Sequence, residues 1–271
     1  MANEEYTMIL FPEYVAAKKA VERLQTEVSM LLLERDELRF VQCKNIETAY
    51  MLALGDIEYK AYELNCSVLR LKRKLELVQA KKNRQEPVDI TAIEKSLDGE
   101  FEEYKKKLDA QIDKINAAIE RNRGEYLSEE ENKELKKLYR GIMKALHPDL
   151  NLDVTEAQIR LFENAVQAYE DGDLDTMRII GAMVAAPVLT EQSEDALSVL
   201  MKEKKRLSEI VETIRSQIAK IKAEYPYNLK ELVEDPEKIE AKRVEFEQLI
   251  EELAGVYESY DARLKELLRQ V

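Results

Sequence analysis

The chain has 271 residues, and its 55 Asp and Glu outnumber its 42 Lys and Arg, which gives a formal net charge of −13. Only 7 Gly and 6 Pro occur, too few for the frequent turns of a sheet protein, whereas the high charged fraction is typical of amphipathic helices. One histidine and two cysteines exclude a two-histidine zinc site, a four-cysteine zinc ribbon and a disulfide framework.

The sequence also limits the partners and the cellular location to be expected. An acidic surface disfavours nucleic acid and anionic membranes as partners. No apolar stretch reaches roughly 18 residues, so we expect no transmembrane helix. The N-terminal segment MANEEYTMILFPEY is acidic and lacks the layout of a secretory signal. We therefore expect an all-α, cytoplasmic protein.

Two apolar stripes in the N-terminal region (residues 1–124) predict two long helices. The first stripe runs from Val21 to Val41 and the second from Tyr50 to Val78, with spacings close to a heptad. A tight turn near residues 43–45 would join them as an antiparallel hairpin. Gly55, inside the second stripe, indicates either a close helix contact or a bend.

A break follows at residues 81–87, and Asp89 is the predicted cap of a third helix that ends near Arg123. Ser128 and Glu131 then form a capping-box pattern that predicts a helix ending before Pro148. Thr155 is the predicted start of the next helix.

The last region, residues 187–271, carries two more apolar stripes. Leu207 to Ile221 form a heptad seam with steps of four and three residues, and a returning stripe runs from Phe246 to Leu267. Between them, residues 225–228 break the helical pattern. We predict a second antiparallel hairpin, with Pro187 at its boundary.

One predicted helix has an excess of basic residues, although the chain as a whole is acidic. At 100° per residue, four of its basic residues fall within about 60° of one another, opposite an apolar face. They are Lys133, Lys137, Arg140 and Lys144. The only histidine, His147, continues this stripe at the helix end, and Pro148 and Asp149 follow. We expect the basic face and the His147–Asp149 tip to be exposed to solvent.

This region resembles the J domain of DnaJ-type co-chaperones. The resemblance rests on the signature tripeptide His147-Pro148-Asp149, on Tyr139-Arg140 at the family's interval before it, and on residues after it. Those are Asn151, Phe162, Ala165, Ala168 and Tyr169. The family's first-helix pattern is not visible upstream, where residues 112–126 form either a substitute lid or part of a long helix. Leu150 stands where lysine is common.

The resemblance implies a J-domain-like module (residues 125–186, the J-like module) flanked by long hairpins. It implies docking on a DnaK-type ATPase chaperone through Lys133, Lys137, Arg140 and Lys144, with His147, Pro148 and Asp149 making the contacts that stimulate ATP hydrolysis. Such a protein is not itself an enzyme and needs no cofactor. The coiled coils would bind a client or partner.

Two other classes of function stay open. The chain could be a coiled-coil scaffold whose J-like module no longer stimulates an ATPase, or a holdase that grips unfolded chains between helical arms.

Other interpretations of these residues are weaker. His147 and Asp149 lack a nucleophile at a suitable spacing for a hydrolytic site. Asp149, Asn151 and Asp153 imitate the start of a calcium loop, but Val154 replaces its glycine and Arg160 its final glutamate, so no metal site is expected. Without the tripeptide, the basic face would be best interpreted as a solvated helix surface.

Overall fold

A computed structural model describes residues 12–123, 127–184 and 196–269, and over these ranges the regular structure is entirely helical. The prediction of an all-α fold is confirmed. The α-helices are α1 (Pro12–Asp36), α2 (Cys43–Asn83), α3 (Ile90–Glu100), α4 (Glu102–Arg123), α5 (Glu129–Leu146), α6 (Glu156–Asp171), α7 (Leu174–Val184), α8 (Ala196–Ala223), α9 (Lys230–Val233) and α10 (Pro236–Arg269). A π-helical segment (Glu37–Gln42) joins α1 to α2, and a 3-10 turn (Tyr227–Leu229) precedes α9.

The chain divides into two compact units. Unit 1 comprises residues 1–44 and 125–227, and unit 2 comprises residues 45–124 and 228–271. Each unit therefore combines segments that are distant in the sequence, whereas each of the three predicted domains was one continuous stretch of the chain. Gly124 and Pro187 themselves lie outside the described residues, as does the N-terminal segment before Pro12.

The predicted turn near residues 43–45 is wrong. Helical structure continues without a break from Pro12 to Asn83, a run of 72 residues. Residues 43–45 include no glycine or proline. Each backbone N–H can therefore keep a helical acceptor, and nothing in these residues ends the helix. The N-terminal hairpin is therefore replaced by one long helix with a π-helical segment inside it.

The seam of α8 is filled by α1 and not by a returning C-terminal helix. Arg215 donates to Glu27 at 2.6 Å and Lys222 to Glu34 at 2.8 Å. Both ion pairs advance by seven residues in the same direction, so α1 and α8 run parallel. The seam residues Leu207, Val211, Ile214 and Ile218 share a core cluster with Val21, Val28 and Leu32, so α1 occupies the place that the prediction gave to the returning C-terminal helix. We call α1 and α8 together the α1/α8 pair.

Unit 2 contains the stripes of α2 and α10. Leu264 and Leu267 of α10 are buried in one cluster with Leu71, Leu75 and Val78 of α2. Gly55 makes the predicted close contact, because a Cβ added there would lie 3.1 Å from Ile115 of α4. Residues 112–123 are part of the long α4, which is the second of the two predicted alternatives, and Ile115 and Ala118 pack within unit 2.

Unit 1 holds the J-like module on a shared core. The capping box predicted at Ser128 and Glu131 is present, and Gly172 ends α6 in a left-handed conformation with φ of 71°. The rings of Tyr139 and Tyr169 stack at 4.2 Å, so α5 and α6 pack through their apolar faces as predicted. Core residues of α1 and α8 belong to the same cluster.

Candidate partner-binding site

The basic face of α5 is open to solvent. Lys133, Lys137, Arg140 and Lys144 are all exposed. Among the residues that the structure describes, the only ion pair of these four side chains joins Lys133 to Glu129 at 3.6 Å, with both partners more than three-quarters exposed. Such a pair is screened by water and contributes little free energy, so this lysine stays available to an acidic partner.

Glu134, the one acidic residue between Lys133 and His147, lies beside this face and is neutralised by Arg178 of α7. Arg178 donates from Nε and Nη2 to both carboxylate oxygens of Glu134, at 2.8 and 2.7 Å. The Arg178 guanidinium lowers the pKa of Glu134 through these hydrogen bonds. Each carboxylate oxygen thus accepts one hydrogen bond from Arg178, and the guanidinium offsets the negative charge of Glu134 next to the basic residues of α5. The sequence offered no signal for this contact, because the two residues are 44 positions apart.

The His-Pro-Asp loop is ordered by hydrogen bonds within itself. The carbonyl oxygen of His147 accepts from the backbone N–H groups of Leu150 and Asn151, both at 3.0 Å. The Asn151 side chain donates to the carbonyl of Lys144 at 3.1 Å and so satisfies an acceptor at the end of α5. Leu150, where the J-domain family commonly has lysine, is buried in the core of unit 1.

The two ends of the tripeptide differ in exposure. The side chain of Asp149 is 50% exposed and Pro148 is exposed, as predicted. His147 is only 8% exposed, so the prediction of an exposed histidine is wrong. Its ring lies edge-on against Phe162 of α6, with the centroids 5.1 Å apart. The core of unit 1 combines segments that are distant in the sequence, so the burial of His147 could not be predicted from the residues next to it.

Burial also sets the protonation of His147. The Nδ1 atom accepts the backbone N–H of Asp149 at 3.0 Å, which places the proton of the neutral ring on Nε2. Desolvation lowers the pKa of His147, since the charged ring would lose its hydration, while the nearby Asp149 carboxylate opposes this shift. The neutral ring therefore fits the loop better than the charged one.

A polar network that sequence analysis missed joins α5 and α6 to Asp36 at the end of α1 and to Glu37 at the start of the π-helical segment. The hydroxyl of Tyr139 donates to Asp36 at 2.8 Å, and that of Tyr169 donates to Glu37 at 2.7 Å. Asp36 is 1% exposed and also pairs with Arg35 at 2.7 Å. Among the described residues, no buried side-chain polar atom lacks a hydrogen-bond partner, so this network is fully satisfied.

A groove of about 860 Å³ borders the basic face between α1 and α5. Its walls include Arg140 and Lys136 of α5, and Met30 and Leu33 of α1. Met30 is 62% exposed, so the groove has an apolar part beside the candidate docking residues. Charges of both signs line the rest of it, with Glu27, Glu34 and Glu37 opposing Arg23, Lys136 and Arg140.

Over the described ranges, no group of three or more histidine, cysteine or acidic side chains is placed to hold a metal ion. None of the helices described is both long enough and apolar enough to cross a membrane. No family model, no curated protein and no solved structure matches the chain.

Proposed function

We propose that this protein is a J-domain-like co-chaperone that docks on a DnaK-type chaperone and stimulates its ATPase. The observation that carries the proposal is the continuity of one surface. Four exposed basic residues of α5 lead directly to exposed Pro148 and Asp149. The four basic residues would attract and orient an acidic surface of the chaperone, which raises the association rate more than the final affinity.

Stimulation of an ATPase needs contacts that differ between two states of the chaperone. Asp149 is the group best placed to make them, because its carboxylate is half exposed at the tip of an ordered loop. His147 would orient Asp149 through the 3.0 Å hydrogen bond from the Asp149 backbone N–H to Nδ1. The protein itself would make and break no covalent bond.

A scaffold is the competing function, and the burial of His147 favours it. In that case the tripeptide is retained because His147 and Leu150 fill the core of unit 1, and the basic face has no DnaK-type partner. A holdase that binds unfolded chains is a third possibility. No contact among the described residues favours it in particular.

The deciding experiment measures single-turnover ATP hydrolysis by a DnaK-type chaperone from the same organism, with and without this protein. We expect acceleration by the wild type and its loss in Asp149→Asn, which keeps the size of the side chain and removes its charge. Asp153→Asn is the matched control, since it makes the same change four residues further along the chain. Circular dichroism verifies that each variant is folded.

The outcomes separate the three functions. Absence of acceleration by the folded wild type would refute the co-chaperone proposal and leave the scaffold. Suppression of client aggregation without ATP, equal in wild type and Asp149→Asn, would instead identify a holdase.

A further inference from the structure

One ring nitrogen of His147 lies close to both the backbone and the side chain of Asp149. Nδ1 accepts the backbone N–H of Asp149 at 3.0 Å, and it lies 4.0 Å from Oδ2 of the Asp149 carboxylate. The first contact needs a free lone pair on Nδ1, whereas the second becomes a hydrogen bond only when Nδ1 carries a proton. The two contacts therefore exclude each other, and the protonation of a single atom selects between them.

The surroundings decide which group moves when Nδ1 gains a proton. His147 is 8% exposed, and its ring lies edge-on against Phe162 with the centroids 5.1 Å apart, so close packing leaves the ring little freedom. The side chain of Asp149 is 50% exposed and can turn. A shift of about 1 Å would bring Oδ2 within hydrogen-bonding distance of Nδ1. Asp149 is therefore the group that moves.

Protonation also removes the acceptor that the Asp149 backbone uses. Both nitrogens of a charged imidazole are donors, so the Nδ1–H and the Asp149 N–H would point at each other across 3.0 Å. The other backbone hydrogen bonds of the loop join Leu150 and Asn151 to the carbonyl of His147 and do not involve the ring. The loop can thus keep its fold while Asp149 changes direction.

Charged groups in the loop and on two helices act on this contact. The Asp149 carboxylate favours the charged form of the ring. From the α1/α8 pair, Arg35 disfavours the charged ring and Asp36 favours it, while Arg206 interacts with the charge of Asp149. Burial is the largest of these influences and lowers the pKa of His147, so the ring is neutral near pH 7 and becomes charged on acidification.

We infer that His147 is a protonation switch for Asp149, in which the neutral ring leaves the Asp149 carboxylate facing solvent and the charged ring draws it into an ion pair. Asp149 is the group proposed to make the stimulating contacts with the chaperone, so the charged state would withdraw it from that partner. This regulatory role rests on the proposed function, whereas the switch itself does not.

Nuclear magnetic resonance can follow the switch directly, because His147 is the only histidine in the chain. With 15N-labelled histidine, the ring signals show which nitrogen carries the proton. We expect a proton on Nε2 alone near pH 7, and on both nitrogens after acidification. The backbone amide of Asp149 should shift with the same midpoint, because it loses its acceptor. The amide of Leu150, which donates to the carbonyl of His147, is the internal control and should shift far less.

Asp149→Asn tests the ion pair of the charged state. The change removes the carboxylate that stabilises the charged ring, so the midpoint of His147 should fall by about one pH unit. Asp153→Asn is the matched control, because Asp153 is exposed and its charge is screened by water. It should move the midpoint by less than about 0.3 pH unit.

Each of three results would overturn the switch. They are a proton on Nδ1 near pH 7, an Asp149 amide that does not follow the ring, and equal midpoints in Asp149→Asn and Asp153→Asn. Circular dichroism verifies that the variants are folded. The two signals of the wild type decide alone if Asp149→Asn does not fold.

The regulatory role is tested by the ATPase assay, repeated at pH values on both sides of the His147 midpoint. Stimulation is expressed relative to the chaperone alone at the same pH, which corrects for the chaperone's own pH dependence. We expect stimulation to fall by about half at the midpoint, where half of the rings are charged. Stimulation that stays constant across the midpoint would overturn the regulatory role. If no pH gives stimulation, the co-chaperone proposal fails, while the ring and amide signals still decide whether the switch exists.

Discussion

Replacing Tyr139 by phenylalanine tests whether the buried carboxylate of Asp36 anchors the J-like module to α1. The change removes one hydroxyl and keeps the ring, so the stack on Tyr169 at 4.2 Å should persist. Asp36 would lose the hydrogen bond that its Oδ2 now accepts at 2.8 Å. The Arg35 guanidinium would still pair with Oδ1 at 2.7 Å.

The magnitude follows from burial. Tyr139 is fully buried and Asp36 is 1% exposed, so water cannot readily replace the lost donor. Burial and the Asp36 charge raise the pKa of Tyr139 above its ordinary value, so the hydroxyl is a donor at any pH near neutrality. Hydrogen bonds to charged groups contribute roughly 1.5 to 3 kcal/mol, and we expect a loss of about 2 kcal/mol in the free energy of unfolding of unit 1.

Hydrogen exchange read by mass spectrometry measures this loss locally. Peptides from α5 and α6 should exchange about 30-fold faster in Tyr139→Phe, since each 1.4 kcal/mol is tenfold in an opening constant. Peptides from α10, in unit 2, should not change. The control is Tyr257→Phe, because Tyr257 is 38% exposed and removing its hydroxyl leaves no buried group unpaired. A loss below about 0.5 kcal/mol in Tyr139→Phe, equal to that control, would show that the Asp36 contact is not an anchor.

Three further predictions concern docking, pH and packing. Arg140→Glu should slow association with a DnaK-type chaperone by roughly tenfold at low salt and by much less at high salt, as surface plasmon resonance would show, because steering by exposed charge is screened. The depressed pKa of His147 means that the unfolded chain binds the proton more tightly, so the stability contributed by the neutral ring is present above pH 6.5 and is lost as pH falls through the folded-state pKa. Urea unfolding should therefore show a steeper loss on acidification in the wild type than in His147→Gln, and equal slopes would contradict this. Gly141→Ala should raise the unfolding free energy by about 1 kcal/mol through helix propensity, since the added Cβ would have no atom within 4 Å apart from the adjacent residues and the backbone of its own helix. Gly181→Ala should gain less in the same measurement, because its Cβ would lie 3.0 Å from Leu138, and an equal gain would mean that Leu138 moves freely.

Structural features that depend on a few neighbouring residues could be predicted from the sequence. Ser128 and Glu131 form the expected capping box, since both hydrogen bonds join groups within one helical turn. Pro148 follows the end of α5 at Leu146, because proline cannot supply a helical N–H. The exposure of the basic face of α5 was predicted for a similar reason, since an amphipathic helix buries its apolar side.

The partner of each seam could not be predicted in this way. The stripe from Leu207 to Ile221 was expected to pair with the next helix in the chain, but it packs on α1 in a parallel orientation. Heptad spacing is the same in parallel and antiparallel pairs, so the seam shows that a helix needs a partner without identifying it. Glu27 and Arg215 carry opposite charges that suit this pairing. They are 188 residues apart, however, and the sequence offers many other pairs of opposite charge, so this pair could not be identified from the sequence.

By itself the sequence determined the helical class, most helix ends, the basic face of α5 and the His147–Asp149 loop, because each depends on backbone chemistry or on residues within one or two turns. Only the tertiary structure decided that His147 is buried, that Asp36 and Glu37 receive the module's tyrosines, and that α1 pairs with α8. These features depend on which segments, distant in the sequence, pack against one another. Several apolar seams are compatible with each other, and the free energy of the whole core selects the pairing, so no single seam encodes its own partner.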